Sequence, residues 1–306
     1  NQALNEKLLS EVYMTENEFL LQDRIAKIKS INEKYDLEHN GYVSYSGGKD
    51  STVLSALIDL ALPGNKIPRV YINTGIEYKL MVEYVHNKMK EDDRIIEIRP
   101  KVNIREMLET KGYPFKSKEF SQKLFTYQNS GKCKTVTDYL GETGNKPKTF
   151  QCPDKLKVCF APEFTLKVSD KCCTMLKKKP IEEYEAVNRR LIRMTGIRSA
   201  EGGIRKSHQE CTVFSDDLLT KFHPLKPLKS DFIDWFIEKY KIRLCDLYYP
   251  PYSFERTGCV GCPFNSKLKY DLSKIKGVFP SEEKRAEIIW GKVYDEYRRL
   301  GYRLDE

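Results

Sequence analysis

The sequence predicts an α/β protein with a mostly parallel, twisted sheet and helices on both faces. Between residues 40 and 100, short apolar runs alternate with segments of helical periodicity. The runs have the length of buried strands and lie at Val43–Tyr45, Arg69–Ile72 and Arg94–Ile98, with helical segments at 52–62 and 78–91. Because strands joined by helices pair in parallel through right-handed crossovers, this alternation indicates a parallel sheet.

Helical segments are predicted before and after this sheet. Over Thr15–Tyr35, leucines and isoleucines recur at steps of three and four residues, as on one face of a helix. Ser281–Leu300 has Ser281 as a candidate N-cap and acidic residues in its first turn. Further helices are expected at 118–129, Ile181–Arg193 and Ser230–Tyr240.

These elements suggest three regions. We expect an N-terminal helical extension over 1–36, the α/β domain over 37–265 and a C-terminal helical segment over 266–306. Within the domain, the periodicity weakens over about 112–180, a stretch rich in Lys, Thr, Gly, Pro and Cys. We interpret it as a cysteine-rich insertion that serves the functional site.

The composition is that of an ordinary globular protein, with 40% hydrophobic and 32% charged residues among 306. The sequence has no run of 18 apolar residues and no apolar N-terminal stretch, so a cytoplasmic protein without a membrane partner is expected. The net charge of +9 suits an anionic partner, either nucleotide or nucleic acid. The basic residues are mostly dispersed, with one cluster at Lys177–Lys179. A protein partner and a homodimer stay open.

A glycine-rich turn follows the first strand. It reads Ser46-Gly-Gly-Lys-Asp-Ser51 and leads directly into a helical segment. Glycines let the backbone approach an anion closely, and the N–H groups and dipole of a new helix favour negative charge. Ser46 and Ser51 can donate hydroxyl hydrogen bonds, and Lys49 can neutralise charge. The spacing differs from the GxxxxGK[ST] phosphate loop, so another phosphate-binding loop is indicated.

A second polar segment, Asn73-Thr-Gly75, follows the next strand. In open parallel sheets, ligands bind at the carboxyl ends of the strands, where both segments fall. Glu77 comes two residues later and is either a ligand-binding residue or a solvated helix start.

Four of the nine cysteines form a distinctive pattern. Cys172-Cys173 is followed, after 85 intervening residues, by Cys259-Val-Gly-Cys262. A CxxC turn aims two thiolates at one metal, and an adjacent Cys-Cys pair supplies two more. Four thiolates hold either an iron–sulfur cluster or tetrahedral zinc.

Together these motifs resemble the phosphoadenosine-phosphosulfate (PAPS) and adenylyl-sulfate (APS) reductase family, within the superfamily of adenine-nucleotide alpha-hydrolase-like proteins with a pyrophosphate (PP) loop. The loop at Ser46–Ser51 resembles the PP-loop, and Asn73–Glu77 resembles the second nucleotide motif. Segments around the cysteines, Ser169–Pro180 and Glu255–Phe264, are similar to the family's flanking motifs, as is Thr195–Arg205. The resemblance extends from about residue 40 to 265.

The resemblance implies an adenine nucleotide substrate (PAPS, APS or ATP), sulfur chemistry and a [4Fe–4S] cluster, with zinc as the alternative. The implied metal ligands are Cys172, Cys173, Cys259 and Cys262. The implied nucleotide-binding residues are Ser46, Gly47, Gly48, Lys49, Asp50, Ser51, Asn73, Thr74, Gly75, Glu77, Thr195, Gly196, Arg198 and Arg205. Candidates for a catalytic role are Lys49, Arg198 and Cys211.

One departure from the family concerns the nucleophile. Its reductases carry a catalytic cysteine in a C-terminal tail, whereas no cysteine follows Cys262 here. Two alternatives to reduction therefore stay open. One is ATP-dependent sulfur transfer to nucleic acid, as in DNA phosphorothioation or tRNA thiolation, and the other is a non-catalytic nucleotide-binding accessory role.

The other cysteines have less specific interpretations. Cys211 and Cys245 fit small core residues, with Cys211 as the internal substitute for a tail nucleophile. Cys133, Cys152 and Cys159 are either spare thiols or, for the last two, a second metal pair.

Overall fold

A computed structural model of the chain describes residues 14–199 and 210–304. Six strands in this part form one sheet: β1 (Gly41–Tyr45), β2 (Arg69–Ile72), β3 (Ile95–Ile98), β4 (Ile192–Met194), β5 (Thr212–Ser215) and β6 (Leu218–Phe222). Their order is β3-β2-β1-β4-β6-β5, and all neighbours are parallel except β5 and β6, which form an antiparallel hairpin. The predicted mostly parallel α/β fold is confirmed.

Helices connect and flank these strands. They are α1 (Glu16–Tyr35), α2 (Leu37–Asn40), α3 (Lys49–Ala61), α4 (Lys79–Glu91), α5 (Ile104–Lys111), α6 (Lys118–Ser130), α7 (Lys134–Leu140), α8 (Lys179–Asn188), α9 (Ser230–Lys239), α10 (Leu268–Ile275) and α11 (Pro280–Arg299). Short 3₁₀ segments lie at Lys148–Phe150, Asp154–Phe160 and Asp246–Tyr248, and a π-helical turn at Thr174–Lys178. No helix among the described residues has both the length and the apolar character needed to cross a membrane.

The order of the strands creates a switch point beside β1. The chain proceeds outward from β1 through β2 to β3, and then returns to place β4 on the opposite side of β1. Val43 is in register with Met194 of β4, so the two strands end at the same edge. In open α/β sheets, the crevice at such a point is where ligands bind.

Two cap interactions explain where the first helix starts and stops. The Thr15 hydroxyl accepts a hydrogen bond from the Glu18 N–H at 3.3 Å, and the Glu18 carboxylate accepts one from the Thr15 N–H at 3.1 Å, a reciprocal capping box. Asp36 then ends the helix in a left-handed conformation. The apolar stripe of this helix joins α3 and α9 in one core with the sheet, which includes Leu21, Ile28, Leu54, Leu57, Phe232 and Phe236.

Contacts divide the chain into two compact units. Unit 1 comprises Asn1–Ile72, Leu80–Ile98 and Glu183–Asp246, and contains the whole sheet. Unit 2 comprises Asn73–Lys79, Arg99–Glu182 and Leu247–Glu306. Its core is aromatic: the Phe115 ring lies 4.7 Å from Tyr297, 5.5 Å from Phe120 and 5.8 Å from Phe164.

Two predicted element boundaries are wrong. The helix expected over Ile181–Arg193 ends at Asn188, because Arg189 takes a positive φ of 54° and the following residues pair with β1 as β4. The predicted N-cap Ser281 lies inside the first turn of α11, which starts at Pro280. Proline suits the first helical position because its missing N–H would have no intrahelical partner there.

Candidate functional site

The glycine-rich turn after β1 has the conformation that its sequence predicts. Gly47 has φ +71°, and a Cβ there would lie 2.6 Å from both Met81 Sδ and Val85 Cγ2. Only glycine fits, since the position has both a left-handed backbone and no room for a side chain. Gly48 is the N-cap of α3 and provides no side-chain cap bond to the first turn of this helix. First-turn N–H groups lack intrahelical acceptors and therefore suit an anion.

The two serines of the turn bind mainly to each other and to the backbone. Their hydroxyl oxygens are 3.0 Å apart, and the buried Ser51 hydroxyl donates to the Gly48 carbonyl at 2.9 Å. The Ser51 oxygen also accepts a bond from the Ser46 N–H at 3.2 Å. Ser51 therefore fixes the shape of the loop, while Ser46 is exposed and available to a ligand.

The segment after β4 lies against this loop within unit 1. A Cβ on Gly196 would lie 2.9 Å from the Asp50 carbonyl carbon and oxygen, so the two backbones are nearly in contact. The buried Arg198 donates through Nε to Asp50 Oδ1 at 2.9 Å and through Nη1 to Ser230 Oγ at 3.2 Å. The β1–β4 pairing thus brings a guanidinium to the phosphate-type loop. The other candidate arginine, Arg205, lies outside the described residues.

The loop lysine has a partner that the sequence did not reveal. Lys49 Nζ lies 3.0 Å from Asp234 Oδ1, and both side chains are partly exposed. Asp234 and Ser230 both belong to α9. Because four residues separate them along one helix, their side chains share one face, which the sequence could predict. Only the fold brings that helix to the loop.

Thr195 and Cys211 meet a buried histidine at the end of β6. The Thr195 Oγ1 is 2.7 Å from the ring nitrogen Nδ1 of His223. The backbone N–H of His223 donates to the Cys211 carbonyl at 2.7 Å. The Cys211 Sγ lies 3.8 Å from Nη1 of Arg24, on α1. His223, missed from the sequence, links the side chain of one predicted nucleotide residue to the backbone of the candidate cysteine.

In unit 2, Asn73–Glu77 forms a closely bonded turn. The Glu77 carboxylate accepts bonds from the Thr74 N–H at 3.0 Å and the Thr74 hydroxyl at 2.7 Å, and Asn73 Oδ1 accepts one from the Gly75 N–H at 3.0 Å. Glu77 is buried, and its backbone forms an antiparallel bridge with Cys259. Its Oε1 lies 3.9 Å from Lys177 Nζ. The contacts of Glu77 therefore connect this turn with the cysteine motifs.

One face of α11 holds the Cys259–Cys262 loop by its carbonyl groups. The Trp290 indole N–H donates to the Val260 carbonyl at 2.7 Å, the Tyr294 hydroxyl donates to that of Gly261, and the Tyr297 hydroxyl donates to that of Pro263 at 3.0 Å. Gly261 has φ +57°, and a Cβ there would collide with Tyr294 Oη and Ala286 Cβ. The helix beyond the family motifs thus fixes the CxxC backbone.

The Cys172–Cys173 pair lies at the start of a widened helical turn. The π-helical residues Thr174–Lys178 follow, and the Lys179 N–H donates to the Thr174 carbonyl five residues back. Pro180 explains the widening, because its ring would clash with the carbonyl four residues earlier and it has no N–H to donate.

Burial affects the thiols of Cys172, Cys259 and Cys262 in the same direction. Burial raises the pKa of the Cys172 and Cys259 thiols and raises that of Cys262 to about 12, with further increases from the charges of neighbouring cysteines. The pKa of Lys177 is raised, mainly by the charge of Cys259 and then by Glu77 and the other cysteines. Lys177 therefore lies where it would offset the negative charge of these groups as thiolates.

The cysteine motifs fit a metal by the chemistry of their sulfur donors and not by an assembled coordination geometry. Among the described residues, no group of three or more His, Cys, Asp or Glu side chains is arranged as a metal site. All nine cysteines lie among the described residues, and none of them forms a disulfide bond. Four mutually influencing sulfur donors with one adjacent ammonium suit a [4Fe–4S] cluster or tetrahedral zinc.

The remaining cysteines differ in exposure. Cys152 and Cys159 are buried, and burial raises the pKa of Cys152 to about 11 and that of Cys159 to about 12. Cys245 is buried and donates to the Leu80 carbonyl at 3.5 Å. Cys133 precedes α7, where the Thr135 hydroxyl lowers the pKa of its thiol.

The sheet, its switch point and the glycine-rich loop define a mostly parallel α/β protein with a strand–glycine turn–helix at the switch point. More specifically, the chain belongs to the family described as the phosphoadenosine phosphosulfate reductase domain, whose family model matches residues 40–146 and 148–265.

A curated relative and two solved structures are similar to the chain. The uncharacterized protein MJ0973 of Methanocaldococcus jannaschii is 23% identical over 310 residues, which cover 97% of this chain and 58% of the relative. A PAPS reductase from Candida auris in a phosphate complex has a TM-score of 0.44 at 11% identity, covering 81% of this chain and 97% of its own. The U34-tRNA thiolase NcsA from Methanococcus maripaludis, with its [4Fe-4S] cluster, has a TM-score of 0.39 at 14% identity, covering 94% and 82%.

The carbonyl contacts of α11 lead to a stability prediction. Trp290→Phe removes the indole donor and leaves the buried Val260 carbonyl unpaired, so we expect a loss of about 1–3 kcal/mol in the free energy of unfolding. Urea denaturation measures it. Trp235→Phe is the matched control, since the Trp235 indole donates no hydrogen bond to a described residue and belongs to unit 1. Equal stability of Trp290→Phe and wild type would remove this role from α11.

Proposed function

We propose that the chain is an enzyme that binds an adenine nucleotide by its phosphate or sulfate end at Ser46–Ser51. We further propose that it carries out sulfur chemistry with a metal centre held by four cysteines. The observation that carries the nucleotide site is the contact of Arg198 with Asp50 at the switch point between β1 and β4. Membership of the PAPS reductase domain family supports the same assignment.

The loop would bind the anion through backbone and side chains together. The N–H groups at the start of α3 and the Ser46 hydroxyl would donate to phosphate or sulfate oxygens. Lys49 and Arg198 would supply positive charge, each oriented by a carboxylate, Asp234 or Asp50. A ligand would compete with Asp234 for Lys49, because that aspartate is mostly exposed and its pairing is weak.

These groups could also stabilise the transition state. Attack at the α-phosphate, or at the sulfur of an adenylyl sulfate, builds negative charge on the oxygens that leave. Hydrogen-bond donors that the loop already holds in position would stabilise that charge without further rearrangement. We assign this role to the first turn of α3 and to Lys49 and Arg198. Thr195 and Gly196 complete the proposed nucleotide-binding residues of unit 1.

The metal ligands in this proposal are Cys172, Cys173, Cys259 and Cys262. A [4Fe–4S] cluster there would supply redox capacity and an anionic group, whereas zinc would supply only a cross-link. Lys177 would offset the charge of the thiolates, and Glu77 would hold Lys177 in position. Two distant segments would be joined by the metal, so its loss would also reduce stability.

Nucleotide affinity tests the loop with two opposite substitutions. Lys49→Ala should weaken ATP or adenylyl-sulfate binding by about 1.5–3 kcal/mol, as expected for a charge-assisted hydrogen bond. Asp234→Asn should strengthen binding by about twofold to fivefold, because it releases Lys49 from a surface ion pair of about 0.4–1 kcal/mol. Isothermal titration calorimetry measures both, with the exposed Lys66→Ala as control. Unchanged affinity in both variants would remove the loop from the site.

Product analysis tests the chemistry. We expect either pyrophosphate from ATP in the presence of a sulfur acceptor, or sulfite from an adenylyl sulfate with a dithiol reductant. The first product identifies nucleotide-activated sulfur transfer and the second identifies reduction. Substituting Cys211 by Ser should abolish sulfite release if that thiol is the nucleophile. Absence of both products from protein that binds nucleotide and metal would support an accessory role and contradict the enzyme assignment.

Metal content tests the cysteine assignment. Anaerobically purified protein should contain iron and acid-labile sulfide in equal amounts and absorb visible light. Cys259→Ser should lose both iron and colour, while the control Cys133→Ser keeps them. A colourless protein with stoichiometric zinc would overturn the cluster and keep the ligands. Full metal retention in Cys259→Ser would overturn the ligands themselves.

A further inference from the structure

The excess positive charge of the chain is confined to one segment. Residues 99–182 contain eighteen lysines and arginines but nine aspartates and glutamates, a net charge of +9. The rest of the chain has thirty-five residues of each sign and is neutral. The basic residues themselves are dispersed along the chain, but their excess over acidic residues lies in unit 2, which contains all of this segment. Such a concentration of one charge attracts polyanions.

Part of this charge surrounds a groove in unit 2. We define the basic groove by Thr110, Lys111, Phe125, Tyr127, Gln128 and Lys167, which line a cavity of about 620 Å³. Lys111 and Lys167 are exposed, and neither forms an ion pair with any residue in 14–199 or 210–304. Two cations without carboxylate partners at a groove of this size are available to an anionic ligand.

The floor of the groove suits a nucleobase better than a phosphate. The groove lies where α5 and α6 end, and helix C-termini carry partial negative charge. Backbone carbonyls there can accept hydrogen bonds from base amino groups, whereas they would repel phosphate. The Tyr127 ring packs on Phe160 at 5.7 Å, which fixes an aromatic surface. Gln128 donates to the Leu166 carbonyl at 2.8 Å and accepts from the Val168 N–H at 3.0 Å, which fixes the opposite wall.

We propose that the basic groove binds single-stranded nucleic acid, with an unstacked base at Tyr127 and neighbouring phosphates at Lys111 and Lys167. Aromatic stacking combined with surrounding cations is the usual way in which proteins hold single strands. A duplex keeps its bases paired and stacked, so it cannot place one in the groove. A lipid surface would use the charge but leave the cavity empty.

One wall of the groove is close in sequence to the cysteine pair Cys172–Cys173. Lys167–Val168 forms one wall of the groove and is anchored by the Tyr113 N–H, which donates to the Lys167 carbonyl at 2.8 Å. The Ser169 N–H donates to the Tyr113 carbonyl at 2.9 Å, and Cys172 follows three residues later. The same short segment therefore builds the groove wall and leads into the metal ligands. The inference goes beyond nucleotide binding at Ser46–Ser51 and does not require it.

Fluorescence anisotropy with a short labelled single-stranded RNA, and with DNA of the same sequence, tests the proposal on the full chain. Lys111→Ala/Lys167→Ala should weaken binding about tenfold and reduce the slope of log K against log salt by about 1.4, the value for two single-strand phosphates. Tyr127→Leu, which keeps apolar packing on Phe160, should weaken binding at least fivefold and leave the slope unchanged.

The matched control is Lys27→Ala/Lys29→Ala, which removes the same charge from exposed positions of α1 in unit 1. It should bind as wild type does, and circular dichroism confirms that each variant is folded. An equal loss in the control would show that only net charge matters and would overturn the groove. Equal affinity for duplex and single strand, binding only to anionic vesicles, or unchanged binding in the two groove variants would also overturn it. Calorimetry with ATP is unaffected by these variants, so failure here is distinguishable from failure of the nucleotide site.

Discussion

The parallel pairing of β1 with β4 is the interaction on which the candidate nucleotide site depends. It aligns the carboxyl ends of two strands that are far apart in sequence, so that Arg198 reaches Asp50 and the Gly196 backbone nearly touches the loop. Without that ladder, the loop after β1 would be only a turn before a helix. The end of a second strand turns it into a crevice in which cationic side chains are held at defined positions. This is the general reason that switch points bind ligands.

The cysteine motifs depend on a different kind of constraint. Their loop has no regular secondary structure, so its carbonyl groups need partners from elsewhere. The residues Trp290, Tyr294 and Tyr297 provide them from one face of α11, at the spacing that brings helical side chains together. The rings also fill the aromatic core of unit 2, where Tyr297 packs on Phe115. The same side chains thus stabilise the fold and orient the candidate metal ligands.

Charge is distributed unevenly between the two units, and this bears on the kind of partner that each one suits. The loop at Ser46–Ser51 in unit 1 has two neighbouring cations, Lys49 and Arg198, each paired with a carboxylate, which favours a compact and well-oriented anion such as a nucleotide phosphate. The segment 99–182 of unit 2 offers many exposed lysines with few carboxylates, which favours an extended polyanion. The two proposals therefore rest on different charge patterns, paired cations at the loop and, at the basic groove, lysines without carboxylate partners among the described residues.

The sequence alone determined the parallel α/β class and the strand–turn–helix at Ser46–Ser51, because both depend on local periodicity and on glycine. It also indicated the four cysteines as a set, through their spacing and the family resemblance. It could not give the strand order, so the contact of Arg198 with Asp50 and of Lys49 with Asp234 appeared only in the fold. The end of α8 was misplaced because pairing with β1 outweighs helical periodicity near Arg189. Only the tertiary structure could show that α11 supports the CxxC loop, because hydrogen bonds between residues 30 or more positions apart leave no periodic signal.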